Sequence, residues 1–237
     1  MVGKGVVFDT GGYNVKTGGY MVGMHRDMTG AAVVLGLFEA IVKSKLKIEV
    51  NAYIAVAENL ISEESYKPND IITAMDGTSI EVSNTDAEGR MCLIDTLIYS
   101  KRHNNQLTID FATLTGAAAY SIDQKYACIF SNDYKLALKG VEVGRKCGER
   151  VWNFPSGEDF LDGIDSDIAD FAQCTNSENA EHIYAASLLQ NFTQYSWVHV
   201  DLACEYNPSG LGLVDTTVTG FGVRWGFEFV KKWMDEN

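Results

Sequence analysis

The chain has 237 residues, of which 46% are hydrophobic and 11% aromatic, enough for one α/β core, and residues 1–237 are expected to form a single domain. Its 32 acidic and 19 basic residues give a formal net charge of −13, which argues against nucleic acid or an anionic membrane surface as a partner. The five cysteines lack C-x-x-C spacing, and the chain shows no signal-peptide pattern or membrane-length apolar run. A reducing, cytoplasmic location is therefore expected.

The first predicted element is a short apolar strand that contains Lys4, Val6 and Phe8 and ends at Asp9. Alternation with a period of two places Lys4 on the face of Val6 and Phe8, and Asp9 on the opposite face. Lys4 and Asp9 can therefore meet one ion only if the chain bends after Phe8. The two glycines of the following Asp-Thr-Gly-Gly turn tolerate positive φ, and we expect them to supply that bend.

A third carboxylate follows at Asp27, just ahead of an apolar run of helical length at residues 31–42. His25 lies two positions before Asp27, and we interpret it as a surface or supporting residue rather than a metal ligand. Residues 48–56 have the composition and alternation of a strand. The order of these elements predicts the beginning of an α/β fold.

The most informative stretch is the heptad Asn-Thr-Asp-Ala-Glu-Gly-Arg at residues 84–90. In an extended backbone, Asp86 and Glu88 point to the same side, which suits the bridging of hard cations. Residues 91–99 carry apolar side chains at helical spacing, so the motif lies at a strand-to-helix junction. Taken alone, the motif could also be a solvated Asx turn that leads into a helix.

Further strands are predicted at residues 107–113 and 197–203, separated by helical patterns. This alternation indicates an α/β fold with a mainly parallel or mixed central sheet and helices on both faces. Catalytic residues in such folds gather at the carboxyl ends of strands, where Asp9, Asp86 and Thr113 fall. The acidic stretch at residues 159–170 lacks the ligand order of an EF-hand and is interpreted as a solvated loop, and His199 as a core or interface histidine.

These motifs resemble the leucyl (cytosol) aminopeptidases, a family of two-metal exopeptidases whose signature is Asn-Thr-Asp-Ala-Glu-Gly-Arg. The similar blocks occur in family order at residues 3–16, 24–30, 57–59, 67–70, 78–90, 112–116 and 219–224. The resemblance implies the fold of that family's catalytic domain. It also implies an aminopeptidase that releases N-terminal residues from peptides, with leucine-like residues preferred.

The resemblance further implies two divalent metal ions, Zn²⁺ or Mn²⁺. Asp9 and Glu88 would bridge the ions. Asp86 would complete one site, and Lys4 with Asp27 would complete the other. A lysine must be neutral to donate its lone pair, so the metal must lower the pKa of Lys4 strongly. Paired cations can polarise a carbonyl, supply hydroxide near neutral pH and hold the free amine of a peptide, as an exopeptidase requires.

The family also implies roles for two further cations. Lys16 would stabilise the oxyanion of the tetrahedral intermediate, and Arg90 would hold a bicarbonate that shuttles the proton. The residues that match the family's side-chain pocket and substrate-backbone contacts are Met24, Thr113, Leu114 and Gly116.

Family members are ordinarily longer, with a separate amino-terminal domain and the opening part of the catalytic domain ahead of the Lys4 block. The chain is therefore expected to correspond to the carboxyl-terminal catalytic part only. Relatives assemble as hexamers, so a homo-oligomer is expected. Residues 170–185 replace the glycine-rich loop of many relatives, a change expected to alter substrate preference and spare the metal site.

Two alternatives remain open at this point. The first is a non-catalytic or assembly-dependent member of the same fold, inactive without the missing segment or a partner. The second is an aspartic protease, because Asp-Thr-Gly at residues 9–11 is also the local signature of that class. Aspartic proteases need two such loops, the chain has one, and a dimer that supplied the other would leave Asp27, Asp86 and Glu88 unexplained.

Overall fold

The computed structural model describes residues 1–175 and 178–236. The strands, numbered in chain order, are Val2–Asp9 (β1), Tyr53–Asn59 (β2), Ile71–Thr73 (β3), Ser79–Glu81 (β4), Leu107–Ala112 (β5), Ala127–Ser131 (β6), Val151–Asn153 (β7), Phe171–Ala172 (β8) and Ser196–Asp201 (β9). The α-helices are Thr29–Ser44 (α1), Glu88–Ser100 (α2), Gly116–Ile122 (α3), Tyr134–Cys147 (α4), Glu181–Gln190 (α5) and Val223–Met234 (α6).

Six strands form the central sheet in the order β2-β1-β5-β9-β6-β7. The four strands β2, β1, β5 and β9 are parallel to one another. Strand β6 runs antiparallel to β9 and pairs in parallel with β7. A smaller sheet of order β3-β4-β8 lies apart from it. The predicted α/β class with a mainly parallel, mixed sheet is confirmed, and β1 is an inner strand of that sheet.

Helices cover both faces of the central sheet, as predicted. On one face, α1, α4 and α6 enclose a core that includes Leu37, Phe111 and Trp225. On the other face, α2, α3 and α5 enclose a second core that includes Leu93 and Trp197. All five side chains are fully buried, and burial of each large apolar side chain stabilises the fold by roughly 1.5–3 kcal/mol. The two cores hold the strand ends in fixed positions.

The second strand begins later than predicted. Tyr53 pairs with Val2, and the Met1 ammonium group donates to the Asn51 carbonyl oxygen at 2.7 Å. Residues 48–52 lie before the point where β1 begins, so they have no ladder partner there and are not strand. Their apolar alternation instead reflects side chains such as Ile48 that pack against the core. The prediction of a strand over residues 48–56 was therefore wrong for its first half.

Strand β1 contains a β-bulge. The pairing of β1 with β2 shifts register between Val6 and Phe8, so Val7 is an extra residue and its side chain is 41% exposed. One inserted residue reverses the alternation of side chains along a strand. Lys4 and Asp9, five positions apart, consequently line the same cavity. The prediction of a bend after Phe8 was wrong in position, because the irregularity precedes that residue.

The glycines after β1 form the tight turn that follows Asp9. Gly11 and Gly12 have φ angles of 85° and 63°. A Cβ atom on Gly11 would lie 2.4 Å from the Asn14 carbonyl oxygen and 3.0 Å from Asp86 Oδ1. The turn therefore needs glycine both for its conformation and for its close approach to Asp86.

The remaining sequence predictions concern peripheral features. Residues Glu158–Ile164 form a short 3₁₀ helix with Ile164 buried, although the aspartates of the acidic stretch are exposed as predicted. His199 is buried in the core. All five cysteines are free. Among the described helices, none has the length and apolar character needed to cross a membrane.

Candidate functional site

The predicted site residues meet at one end of the central sheet. A cavity of about 850 Å³ is lined by residues at or just after the carboxyl ends of β1, β5 and β9. Ten of the eleven predicted site residues line this cavity: Lys4, Asp9, Lys16, Met24, Asp27, Asp86, Glu88, Thr113, Leu114 and Gly116. Arg90 is not among the described residues that line it. His25, which was not predicted to bind metal, is exposed.

Three carboxylates form a compact cluster in the cavity. Asp9, Asp86 and Glu88 each offer an oxygen atom, and the three oxygens lie within 4.8 Å of one another. Asp9 is the last residue of β1, and Glu88 is the first residue of α2. The Asn84 side chain accepts a hydrogen bond from the Asp86 backbone N–H at 2.9 Å, which fixes the 3₁₀ turn between them. Strand end, turn and helix start thus bring the oxygens together.

The Lys4 ammonium group lies between Glu88 of this cluster and a fourth carboxylate, Asp27. Lys4 Nζ is 2.8 Å from Asp27 Oδ2 and 2.8 Å from Glu88 Oε1, and it donates to the Thr113 carbonyl oxygen at 3.0 Å. Burial lowers the pKa of Lys4, but the charges of Glu88 and Asp27 outweigh that effect and raise the pKa above its ordinary value. Lys4 is therefore charged when these carboxylates are its partners.

The Lys16 ammonium group bridges the other pair of carboxylates. Lys16 Nζ is 2.9 Å from Asp9 Oδ2 and 2.5 Å from Asp86 Oδ1. Burial lowers the pKa of Lys16, but hydrogen bonds to Asp86 and Asp9 raise it above the ordinary value overall. Both lysines are consequently engaged by the carboxylates that the sequence predicts as metal ligands.

The cluster carries an excess of negative charge. With every group ionised, the four carboxylates at residues 9, 27, 86 and 88 and the two lysines at residues 4 and 16 leave two negative charges. Burial raises the pKa of Asp27 to about 7 and that of Asp86 to about 6. Uncompensated charge away from water is costly, so this site favours added cations. Its hard oxygen donors fit divalent metal ions.

Asn59 supports the carboxylates from the end of β2. Its Nδ2 atom donates to Asp9 Oδ1 at 2.8 Å and to the Thr85 carbonyl oxygen at 2.9 Å. The Asn59 side chain is buried, so these contacts fix the Asp9 carboxylate against the turn that carries Asp86. No role was predicted for Asn59 from the sequence. Its position could have indicated a role, because Asn59 is a polar residue at the end of a strand that pairs with β1.

The loop after β5 is anchored at both ends. Thr113 Oγ1 donates to Asp27 Oδ1 at 2.8 Å. Asp201, at the end of β9, accepts from the Leu114 N–H at 3.0 Å and from Thr115 Oγ1 at 2.7 Å. Asp201 is 0% exposed, and this burial raises the pKa of its carboxyl group. Sequence reasoning missed Asp201, although a carboxylate inside an apolar strand requires polar partners.

Arg90 is buried in the first turn of α2. Its Nη1 atom donates to the Gln173 carbonyl oxygen at 2.9 Å, and its Nη2 atom donates to the carboxylate of Glu181. An anion that bound this guanidinium would therefore compete with Glu181. Both partners belong to the segment at residues 170–185, of which residues 176 and 177 lie outside the described residues. That this segment spares the metal site remains a prediction.

Away from the carboxylate cluster, the cavity wall mixes polar residues such as Arg26, Gln124 and Glu205 with an apolar part. The apolar part includes Met24, Leu114, Leu202 and Ala203. This part of the wall is suited to an apolar side chain beside the charged cluster. The cavity therefore combines a polar, charged region with a surface of low polarity.

Comparison with known proteins agrees with this arrangement. Residues 1–225 match the model of the cytosol aminopeptidase family, catalytic domain. The chain is 42% identical over 226 residues to a probable cytosol aminopeptidase of Rhodopseudomonas palustris strain BisA53, covering 94% of this chain and 45% of the relative. It is 41% identical over 236 residues to a probable cytosol aminopeptidase of Chlorobium limicola strain DSM 245, covering 98% of this chain and 46% of the relative.

A third relative, a probable cytosol aminopeptidase of Wolbachia pipientis wMel, is 38% identical over 241 residues, with 100% of this chain and 48% of the relative covered. The chain thus spans about half the length of these curated relatives. The family match covers almost the whole chain and includes every residue of the carboxylate cluster. The chain belongs to the cytosol aminopeptidase family, whose catalytic domain it matches.

Proposed function

We propose that this chain carries the catalytic centre of a metal-dependent aminopeptidase that releases N-terminal residues, with leucine-like residues preferred. The observation that carries the proposal is the convergence of Lys4, Asp9, Asp27, Asp86 and Glu88 in a single cavity with Lys16. The name of the relatives, probable cytosol aminopeptidase, supports peptides as substrates.

Two divalent ions, Zn²⁺ or Mn²⁺, are proposed as cofactors. Asp9 and Glu88 would be the shared ligands. Asp86 would complete one site, and Lys4 with Asp27 the other. Bound ions would polarise the peptide carbonyl and lower the pKa of a bound water molecule toward neutrality. The oxygen donors and the excess negative charge of the cluster support this assignment.

The residues of the chain would act on substrate in three ways. Lys16 pairs with Asp9 and Asp86, and it would become available to stabilise an oxyanion if those two carboxylates held cations instead. Met24 and Leu114 would contact the first side chain of the peptide. Thr113 and Gly116, which line the same cavity, would orient the peptide backbone.

Arg90 is the proposed site of the proton shuttle. The resemblance implies bicarbonate at this residue, but the Glu181 carboxylate already accepts a hydrogen bond from Nη2. Bicarbonate would have to displace that contact or share the guanidinium with it. We therefore propose that Glu181 weakens the dependence of activity on free bicarbonate.

We further propose a cytoplasmic homo-oligomer without nucleic-acid or membrane partners. The free cysteines and the net charge of −13 support the location and the absence of anionic partners. The oligomer rests on the family resemblance. Light scattering should give a mass above that of one chain, and a monomeric mass would contradict this part of the proposal.

The activity can be tested with a chelator-treated chain to which Mn²⁺ or Zn²⁺ is restored. Leucine amide should be hydrolysed, and N-acetylleucine amide should not, because acetylation blocks the amine that the metal site is proposed to hold. Glu88→Ala should reduce hydrolysis by about a thousandfold or more, since metal polarisation contributes several kcal/mol.

Glu58→Ala is a matched control, because this exposed carboxylate lies just before Asn59 but is not in the carboxylate cluster. Its activity should equal that of the unmodified chain. Tight metal binding without hydrolysis would favour the alternative, an assembly-dependent or non-catalytic member of the family. Hydrolysis of the acetylated compound at a similar rate would contradict an aminopeptidase.

A further inference from the structure

The segment that follows β8 contacts residues 84–90 at three points, and this stretch, which carries the proposed ligands Asp86 and Glu88, is called the metal-binding turn. The Gln173 side chain is 0% exposed, and its Oε1 atom accepts from the Asn84 backbone N–H at 3.1 Å. Its Nε2 atom donates to the Ala87 carbonyl oxygen at 3.0 Å. The backbone carbonyl of Gln173 accepts from Arg90 Nη1 at 2.9 Å. One residue thus contacts the turn before, within and after its two acidic side chains.

We propose that Gln173 is a positioning residue that sets the placement of the Asp86 and Glu88 carboxylates for metal binding. This inference rests on the proposed metal site. Its side-chain amide holds Asn84 and Ala87, which lie on either side of Asp86, and Ala87 immediately precedes Glu88. A shift of either backbone contact would move both carboxylates relative to Asp9, which belongs to a different element.

The chemistry of glutamine suits this position. The turn presents one backbone donor, the Asn84 N–H, and one backbone acceptor, the Ala87 carbonyl oxygen. An amide satisfies both without adding charge, whereas a carboxylate would supply no donor and would add a negative charge near Glu88. Buried polar groups that lose such partners cost about 1–3 kcal/mol each.

The contacts reach across a long stretch of sequence. Gln173 and Ala87 are 86 residues apart, and Gln173 and Asn84 are 89 residues apart. The ion pair between Arg90 and Glu181 adds a further connection from α5 to the same turn. Gln173 and Glu181 thus connect two separate parts of the chain to residues 84–90.

The test compares Gln173→Ala and Gln173→Glu with the unmodified full chain. Gln173→Ala removes both side-chain contacts. Gln173→Glu is nearly isosteric and keeps an acceptor for Asn84 but loses the donor to Ala87. Ser187→Ala is a matched control, because Ser187 is 0% exposed and its Oγ atom accepts from the backbone N–H of a loop residue, Gly157, at 3.0 Å.

Two readouts are needed. The first is the Mn²⁺ affinity of the chelator-treated chain, measured by titration calorimetry. Both Gln173 variants should bind Mn²⁺ about 10–100-fold more weakly, the usual effect of removing a residue that orients metal ligands. The second is amide hydrogen exchange of residues 84–90 in the metal-free chain, which should be faster in both variants. Ser187→Ala should change neither.

Unchanged Mn²⁺ affinity and unchanged exchange at residues 84–90 in a folded Gln173 variant would overturn the inference. If Gln173→Ala does not fold, Gln173→Glu decides between the outcomes. Because neither readout uses peptide hydrolysis, a chain that binds metal but lacks peptidase activity would refute the proposed function and leave this inference standing. An unmodified chain that binds no Mn²⁺ would contradict the proposed metal site and this inference with it.

Discussion

Lys4 pairs with carboxylates as an ammonium group, and its proposed role as a metal ligand requires it to lose that proton. As an ammonium group it bridges Asp27 and Glu88, and their charges keep its pKa above the ordinary value once the opposing effect of burial is overcome. As a metal ligand it must be neutral, because only the unprotonated amine has a free lone pair. The proposed metal binding would therefore exchange one cation for another.

Metal binding should consequently release protons near neutral pH. Lys4 would lose a proton when it binds the metal. Burial raises the pKa of Asp27 to about 7, so this group is partly protonated near neutral pH and would release a fraction of a proton on average. Calorimetric titrations of Mn²⁺ in buffers with different ionisation enthalpies measure this release. An observed binding enthalpy that is independent of the buffer would contradict the proposed role of Lys4.

The same groups set the pH dependence of stability. Burial raises the pKa of Asp27 to about 7 and of Asp86 to about 6, so the folded metal-free chain binds more protons than the unfolded chain above about pH 4. These two groups therefore make the metal-free fold less stable as the pH rises from about 4 to about 7.

The increase in melting temperature on adding Mn²⁺ should be larger at about pH 7.5 than at about pH 5.5, because the metal competes with protons for the same oxygens. Thermal unfolding with and without Mn²⁺ measures both increases. An equal increase at the two pH values would contradict this reasoning.

Glu181 offers a second prediction at the residue scale. Glu181→Ala removes the carboxylate from Arg90 and leaves a buried guanidinium with one partner fewer. We expect the free energy of unfolding to fall by about 1–3 kcal/mol and the variant to gain more activity from added bicarbonate than the unmodified chain. Rate measurements over a bicarbonate series test this, with exposed Glu158→Ala as control. Equal bicarbonate responses would contradict it.

Among the elements, β1 shows how one irregularity creates a site. A regular strand would place Lys4 and Asp9, which are five positions apart, on opposite sides of the sheet, and the extra residue Val7 brings them to the same side. Deletion of Val7 would leave the two residues an even number of positions apart in a regular strand, so the deletion variant should still bind Mn²⁺. Insertion of one alanine after Val6 should reverse the alternation and abolish metal binding, whereas Val7→Thr, which keeps the residue count, should preserve it. Calorimetric titration of these variants with Mn²⁺ measures the effect, and undiminished binding by the insertion variant would contradict this reasoning.

The loop after β5 depends on a buried carboxylate of another strand. Asp201→Ala would leave the Leu114 and Thr115 donors unpaired, and we expect it to lower the free energy of unfolding by about 1–3 kcal/mol. KM should rise because the loop lines the cavity, while metal stoichiometry should not change. Asp201→Asn keeps an acceptor and should have a smaller effect. Urea unfolding and steady-state kinetics test this, and a loss of bound metal would contradict it.

Sequence patterns predicted those elements whose periodicity is local. The strands β1, β5 and β9 and the helices α1 and α2 follow from apolar spacing. The late start of β2, the bulge at Val7 and the small sheet of β3, β4 and β8 depend on which strands become neighbours, and a single strand pattern does not specify its partners. These features were not predictable from the sequence alone.

The candidate site likewise contains residues that sequence patterns predicted and residues that they did not. Its acidic residues lie in compact motifs, and the family resemblance supplied their proposed roles. Asn59, Gln173 and Asp201 hold those residues through contacts with partners distant in the sequence. Each looks unremarkable in its own segment, because its role depends on the tertiary structure that brings the partner to it.

For the whole molecule, the fold places a buried, negatively charged cluster where the parallel strands end. Metal that binds only the folded chain stabilises that chain by mass action. The cytosol aminopeptidase family supplies the chemical context, while the chain spans about half the length of its curated relatives. Metal binding and peptide hydrolysis are therefore separate questions, and metal binding comes first.

The most direct measurement is the number of divalent ions bound per chain, determined by native mass spectrometry after chelation and restoration of Mn²⁺ or Zn²⁺. We expect two ions per unmodified chain and a loss of bound metal in Glu88→Ala, because Glu88 is proposed to contact both ions. One ion or none in the unmodified chain, or two ions retained by Glu88→Ala, would contradict the proposed two-metal centre.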